Sequence, residues 1–329
     1  MKTRAAFVTL VSSLIAVGCS ASAPSPQASP PTPAPDPVAK QDPAPAPPAN
    51  DNTPPEDPWA QPAGKKDPIP RPFFWSLEKA GKTSYALGTI HIGVDAELRL
   101  PQLVWDKLDS SKTFAMEMDT GDIAISGMGS RSKGTLESDL GPEYWEKFKK
   151  LVGPQVATGL NKMKPMIAAT MLSMRGLPMT PPMDGVLHGR ALNQKKALVY
   201  FETAGKQAAL LEKYMDVKML KMMIDDGDKG IEQTKEMLAA YLAGDDAKMI
   251  ALSESQRADS LKAGYSAKEY DAFMTDILYK RNADWIPAIE KLHAAGGGFI
   301  AVGAAHMIGK KSVIELLEKK GYKVTRLQP

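Results

Sequence analysis

Four polar residues, His91, Glu117, Glu202 and His306, each stand at or just after the end of a short apolar run. The two histidines close copies of one pattern. Ala86-Leu87-Gly88-Thr89-Ile90-His91-Ile92-Gly93 and Ala301-Val302-Gly303-Ala304-Ala305-His306-Met307-Ile308-Gly309 share Gly-x-x-His, with a second glycine two or three residues on. Two imidazoles with one or two carboxylates are a competent donor set for a divalent ion, with positions left open for water and substrate. Such an ion lowers the pKa of bound water and polarises a carbonyl, while a free carboxylate takes the proton. Metal-assisted hydrolysis is therefore the chemistry to expect. Glu117 lies in an otherwise apolar stretch, where an unpaired carboxylate is costly, so it requires a partner: a metal, an arginine or backbone N–H groups.

These residues converge only if the elements carrying them are neighbours. Phe299-Ile300-Ala301-Val302 is short, apolar and partly β-branched, which reads as a buried strand with its histidine where strand gives way to loop. In open α/β sheets that carboxyl edge is where ligands bind. A glycine three residues before the histidine has no Cβ and admits a close backbone or ligand. Phe73 to Leu77, Ser84 to Ile90, Thr113 to Met118, Ala197 to Glu202 and Tyr322 to Leu327 also read as strands, with a turn near Gly81. Pro101 opens a helix through Asp109. Residues 119 to 140 are Gly- and Ser-rich and read as a loop over the site. From Pro142 the pattern is helical, with breaks near Gly153, Pro165 and Gly176, and Asp184 is placed to cap the helix that runs to Lys195. Thr203 caps a helix carrying Gln207, and residues 208 to 294 are almost wholly helical, broken near Gly227, Gly244 and Gly264. Lys310 to Lys320 is the last helix. The expected fold is mixed α/β, with a largely parallel central sheet and a long helical insertion.

Gly88-Thr89-Ile90-His91, the strand-end Glu117, Phe201-Glu202-Thr203 with Gln207, Arg281-Asn282, and Gly303-Ala304-Ala305-His306 with Gly309 together resemble the TraB/GumN family, which includes the Tiki proteins. The resemblance spans nearly all of residues 73 to 329. It implies an architecture related to erythromycin-esterase-like and ChaN-like proteins. For Tiki proteins it implies metal-dependent proteolysis needing the two motif histidines and a glutamate. On this footing His91, Glu117 and His306 are the expected ligands of a divalent metal (Mn, Co or Zn). Glu202 is expected as general base or as a holder of a ligand histidine. Arg281 either stabilises negative charge developing on the substrate or has a helix-surface or buried ion-pair role. His188 and His293 stand in helical stretches without a paired motif and read as ordinary.

The start of the chain has a different character. Lys2 and Arg4 precede an apolar run, Ala5 to Val17, too short to span a membrane. Residues 1 to 19 read as a leader, and Ala16-Val17-Gly18-Cys19 resembles a bacterial lipobox, whose cysteine is lipidated. Cys19 is the chain's single cysteine, so no disulfide forms within the chain. From 20 to 72 lie 18 of the 27 prolines and almost nothing apolar. Such a segment buries too little surface to offset its ordering entropy and reads as a tether. The folded domain is 73 to 329. Of 41 Lys and Arg against 38 Asp and Glu, the leader holds two cations and no anions, leaving 39 against 38, or +1. That balance, with no interleaved basic and aromatic residues, argues against nucleic acid. The 18 methionines, at helical spacing in stretches such as 163 to 183, read as core filling.

The sequence supports two readings of function. One is a lipid-anchored envelope hydrolase acting on peptides or proteins, with the outer membrane favoured because Ser20 comes directly after the cysteine. The other is a non-catalytic lipoprotein holding haem or another small ligand at the same sheet edge. Oligomeric state has no signature in the sequence. The anchor is directly testable: wild-type protein should fractionate with membranes, since durable binding takes more than one acyl chain. Cys19→Ser should release it or leave it as uncleaved precursor. Wild-type protein recovered in solution without detergent refutes the anchor.

Overall fold

The chain turns back on itself first at Ala80-Gly81. Phe74–Lys79 (β1) and Lys82–Thr89 (β2) pair antiparallel with Lys79 opposite Lys82. A two-residue hairpin turn of this kind needs two left-handed residues, and Ala80 (φ 52°) and Gly81 (φ 73°) supply them. The computed structural model describes residues 67–91, 93–119, 121 and 129–329. The leader, Cys19, the proline-rich segment and part of the expected loop over the site (120 and 122–128) lie outside the described residues.

After β2 come Ala96–Arg99 (α1), Gln102–Ser110 (α2) and Thr113–Met116 (β3). Leu136–Val152 (α3), Pro154–Leu160 (α4), Pro165–Ser173 (α5) and Met183–Asn193 (α6) lead to Ala197–Tyr200 (β4). A helical run comes next: Ala204–Tyr214 (α7), Val217–Asp226 (α8), Asp228–Ala243 (α9), Asp246–Lys262 (α10) and Ala267–Met274 (α11). A π turn, Thr275–Tyr279, joins α11 to Lys280–Ala294 (α12). Phe299–Gly303 (β5), Ala304–Met307 (α13), Val313–Lys319 (α14) and Lys323–Arg326 (β6) complete the fold. No helix among the described residues is long and apolar enough to cross a membrane.

The six strands form one sheet in the order β4-β3-β5-β2-β1-β6. The first four are mutually parallel, and β1 is antiparallel to both β2 and β6. The expected mixed α/β fold with a largely parallel sheet is what the chain adopts. The consequence for chemistry is direct: Glu202, Glu117, His306 and His91 come after the carboxyl ends of four consecutive parallel strands. Phe74, Leu87, Phe114 and Phe299 from the sheet pack with Leu187, Tyr241, Trp285 and Ile289 of α6, α9 and α12 in one core. A second core lies within the helices, where Phe148, Met166, Leu220, Met223 and Phe273 are buried.

Several boundaries differ from the sequence reading. Helix α3 starts at Leu136, before Pro142, because Thr135 and Ser138 form a reciprocal capping box. Gly141 (φ 75°) then kinks it, and Pro142 restarts the helix. The break between α7 and α8 carries no Gly or Pro; Asp216 makes it by accepting the Met219 N–H at 2.8 Å. The final helix starts at Val313, because Lys311 is left-handed (φ 56°) and Ser312 caps the first turn. Asp184 is not a cap. Pro182 holds that position, and the Asp184 side chain turns inward.

Gly88 shows why the first motif needs a glycine. A Cβ there would lie 3.0 Å from the Ala304 Cα and 3.0 Å from the Phe73 Cβ, tighter than ordinary van der Waals contact. Gly88→Ala should therefore overpack the junction of β2 and α13 and cost about 1–3 kcal/mol, read by urea denaturation. An unchanged midpoint would show that the junction gives way freely.

Candidate functional site

His91 is held by the helix that packs beneath its loop. The Met183 N–H donates to the His91 carbonyl at 3.2 Å, which brings Asp184 one residue later under β2. The buried Thr89 hydroxyl donates to Asp184 Oδ1 at 2.7 Å, and Asp184 Oδ2 takes His91 Nδ1. A carboxylate only accepts, so Nδ1 carries a proton. Burial works against a charged His91, but Asp184 and then Glu117 outweigh it and hold the pKa above the usual 6.5. His91 Nε2 is buried and has no hydrogen-bond partner among the described residues. In the neutral ring that nitrogen is a free lone pair.

His306 is oriented by the same logic with a neutral partner. Asn282 donates through Nδ2 to the Lys311 carbonyl at 2.9 Å, so its Oδ1 faces His306 Nδ1 at 2.6 Å. Nδ1 again carries the proton, and the Nε2 lone pair accepts from Arg281 Nη1 at 3.1 Å. The ring lies tilted on Trp285, centroids 4.5 Å apart. Burial, with help from Arg281 and His91 and against Glu117, drives the His306 pKa down to about 3. This imidazole is neutral.

Arg281 sits between the two glutamates. Nε reaches both oxygens of Glu202 at 3.1 Å, and Nη2 reaches Glu117 Oε2 at 2.6 Å as well as Glu202 Oε1. Nη1 donates to His306 and to the Ile277 carbonyl, at 3.0 Å, in the π turn. Such turns concentrate at functional sites. All five N–H groups are thus used inside the cluster, and none is left for a substrate in this arrangement. Of the roles expected for Arg281, the buried ion pair is the one seen.

The glutamates keep step because β3 and β4 stay paired past their strand ends: the Glu202 N–H donates to the Glu117 carbonyl at 2.9 Å. Glu117 Oε1 accepts the Gly303 N–H at 2.9 Å, and Oε2 accepts Gln207 Nε2 at 3.0 Å. The partner that Glu117 requires is therefore an arginine with a backbone N–H. Burial opposes its charge, yet His306, Arg281, His91 and the Gly303 N–H hold its pKa at about 2. Burial pushes Glu202 the other way, upward, against the pull of Arg281. Gln207, placed by the Thr203-capped helix α7, leaves its Oε1 buried and unpartnered, as is Trp285 Nε1.

Among the described residues, no three His, Cys, Asp or Glu side chains already form a metal-holding group. The donor chemistry nonetheless fits an ion. His306 Nε2 and Glu117 Oε1 are 3.8 Å apart, within the roughly 4.2 Å that two ligands of one ion span at ordinary bond lengths. The unpartnered His91 Nε2 is a further donor on the adjacent strand. Each imidazole has its other nitrogen fixed by a side-chain acceptor, as ligand histidines do. The competitor is Arg281: His306 Nε2 has one lone pair, for the guanidinium or for an ion. Among the described residues Glu202 is bonded to Arg281 and to neither histidine; Asp184 and Asn282 hold them instead. Asp184 was missed because an aspartate just past two prolines also fits a helix cap. His188 and His293 have protein partners, Tyr200 Oη at 2.9 Å for the first, Ser84 Oγ at 2.8 Å and the Lys79 carbonyl at 3.0 Å for the second.

Residues 73–326 match the family model described as the TraB/PrgY/gumN family. No curated protein and no solved structure matches the chain. The cluster makes a stability prediction of its own. Arg281→Met leaves two buried carboxylates without their cation and should cost about 3–5 kcal/mol in urea denaturation. Adding Glu202→Gln should recover part of that loss. A single variant as stable as wild type would mean the ion pair is not what holds the cluster.

Proposed function

The chain belongs to the TraB/PrgY/gumN family, and from that premise we propose that it is a divalent-metal-dependent hydrolase of peptide bonds, held at the cell envelope by a lipid on Cys19. One observation carries the hydrolase reading. Two buried imidazoles stand at the ends of adjacent parallel strands, each with its Nδ1–H fixed by a side-chain acceptor; Nε2 has no partner among the described residues in His91 and is shared with Arg281 in His306. A histidine needed only for packing has no use for that arrangement.

His91, His306 and Glu117 would hold the ion, which when bound supplies Lewis acidity to a water and a carbonyl. Geometry divides the two glutamates. Glu117 stands 3.8 Å from His306 Nε2, and the positive groups around it keep it ionised, as a ligand must be. Glu202 makes no hydrogen bond or ion pair with either histidine among the described residues, and burial raises its affinity for a proton, which suits the proton acceptor; paired groups with diverging pKa values commonly divide the work this way. Asp184 and Asn282 orient the imidazoles. For His306 Nε2 to serve as a ligand, Arg281 would have to release it while keeping both carboxylates. The cluster is buried, with Arg281 2% and His306 0% exposed. The covering elements must part for water and a peptide to enter.

Metal analysis and a peptide-cleavage assay on the purified protein test the assignment. His91→Ala and His306→Ala should each lose most of the bound metal. Glu117→Gln should lower both metal content and cleavage. Glu202→Gln should keep the metal while the rate falls about 10²–10⁴-fold. Wild-type protein that neither binds nor cleaves with Mn, Co or Zn, or four variants that retain both properties, would transfer support to the binding-lipoprotein reading.

A further inference from the structure

The two motif histidines differ in one respect that their shared pattern does not foretell. His91 offers a buried Nε2 with no partner among the described residues, whereas the same nitrogen of His306 is held by a guanidinium. Helix α12 grips that second ring at three points. Arg281 Nη1 meets Nε2 at 3.1 Å, Asn282 Oδ1 meets Nδ1 at 2.6 Å, and the Trp285 ring lies 4.5 Å away, centre to centre. Consecutive helical residues point about 100° apart, so Arg281 and Asn282 take the ring from two sides. The π turn that ends at Tyr279 comes just before them, and its Ile277 carbonyl accepts from the same Nη1.

Arg281 does at this place what a bound cation would do. Through Nη1 and Nη2 it joins His306 Nε2 to the Glu117 carboxylate, at Oε2. The same ring nitrogen and the same carboxylate approach to 3.8 Å through Oε1, which takes the Gly303 N–H. A neutral imidazole has one lone pair, and it serves the guanidinium or an ion but not both. Letting go of the ring is a limited loss for the arginine. Nη1 keeps the Ile277 carbonyl at 3.0 Å, and Nε and Nη2 keep the carboxylates.

We propose that Arg281 gates metal loading: it is a cation built into the chain that occupies the ring nitrogen an ion needs, and loading exchanges one for the other at His306. His91, with its Nε2 uncovered by any side chain described, is the ring open to an incoming ion; His306 is the ring the ion must win from the arginine. The protein therefore holds its ion less tightly than its donor set allows, while its two buried carboxylates keep a cation at all times. The inference rests on the hydrolase reading for the identity of the ligands.

Zn²⁺ and Co²⁺ affinities of the purified full chain, measured by competition with a chromophoric chelator, test this without recourse to cleavage. Glu202→Gln is the reference, because with one carboxylate gone Arg281 can be replaced without stranding two buried charges. Adding Arg281→Met should tighten binding about ten- to a hundredfold, the equivalent of a hydrogen bond from a charged donor. Adding His306→Ala to both proteins should abolish the difference, since the gain passes through its Nε2. Arg281→Lys keeps a cation but loses the fork and should also tighten binding; it decides the matter if circular dichroism shows the methionine variant unfolded. Equal affinity with and without Arg281, or a gain that survives His306→Ala, overturns the gate and leaves the hydrolase reading standing. So does a gain with methionine but none with lysine, which would be charge repulsion rather than release of the ring. Wild-type and reference proteins that bind neither ion sink the gate and the hydrolase reading together.

Discussion

A guanidinium buried between two carboxylates governs the centre of this molecule. Arg281 reaches Glu117 after β3, Glu202 after β4, His306 in α13 and the Ile277 carbonyl in the π turn, so four separate parts of the chain meet on one planar fork. Its face lies 4.9 Å from the centre of the Trp285 ring, four residues along α12. Lysine would not serve here, because a single ammonium has three donors and no plane to match two carboxylates and a ring nitrogen at once. The arrangement also keeps two acidic groups a few ångströms apart in a dry interior, where neither would otherwise stay charged.

Around that fork the two histidines are treated alike by different means. Asp184 holds His91 with a charged acceptor and Asn282 holds His306 with a neutral one; against burial, Asp184 raises the pKa of the first ring, while burial lowers that of the second. One tends to keep its proton and the other to shed it.

Much of the sheet was legible because parallel strands covered on both faces are short, nearly unbroken apolar runs. Polar residues at the ends of such runs stand out, and so His91, Glu117, Glu202 and His306 were found together. The strand order that makes them neighbours is set by pairings between residues far apart in sequence, from Thr113 with Ala197 to Tyr85 with Phe299, and nothing local encodes it. The kind of partner required by Glu117 came from the cost of a buried charge. That Arg281 supplies it depends on a helix 164 residues further on. Asp184 was misplaced because its immediate surroundings fit a cap as well as they fit a buried ligand to a ring. The capping box that starts α3 was overlooked in favour of Pro142, a stronger punctuation mark.

The antiparallel direction of β1 has a mechanical consequence. Because Phe74 pairs with Leu87, the chain preceding the sheet joins it at the same edge that carries the histidines. Phe73 accepts the Gly88 N–H through its carbonyl at 2.7 Å, and its ring stacks on Tyr241, whose hydroxyl bonds the Gly88 carbonyl. Gly88 lies three residues before His91. The residues just before Phe73 are clamped as well, the Ile69 N–H by the Arg99 carbonyl at 2.8 Å and the Pro72 carbonyl by Arg326 Nε at 3.0 Å, so the peptide unit that carries the first Gly-x-x-His motif is shielded from motion of the chain that precedes the sheet.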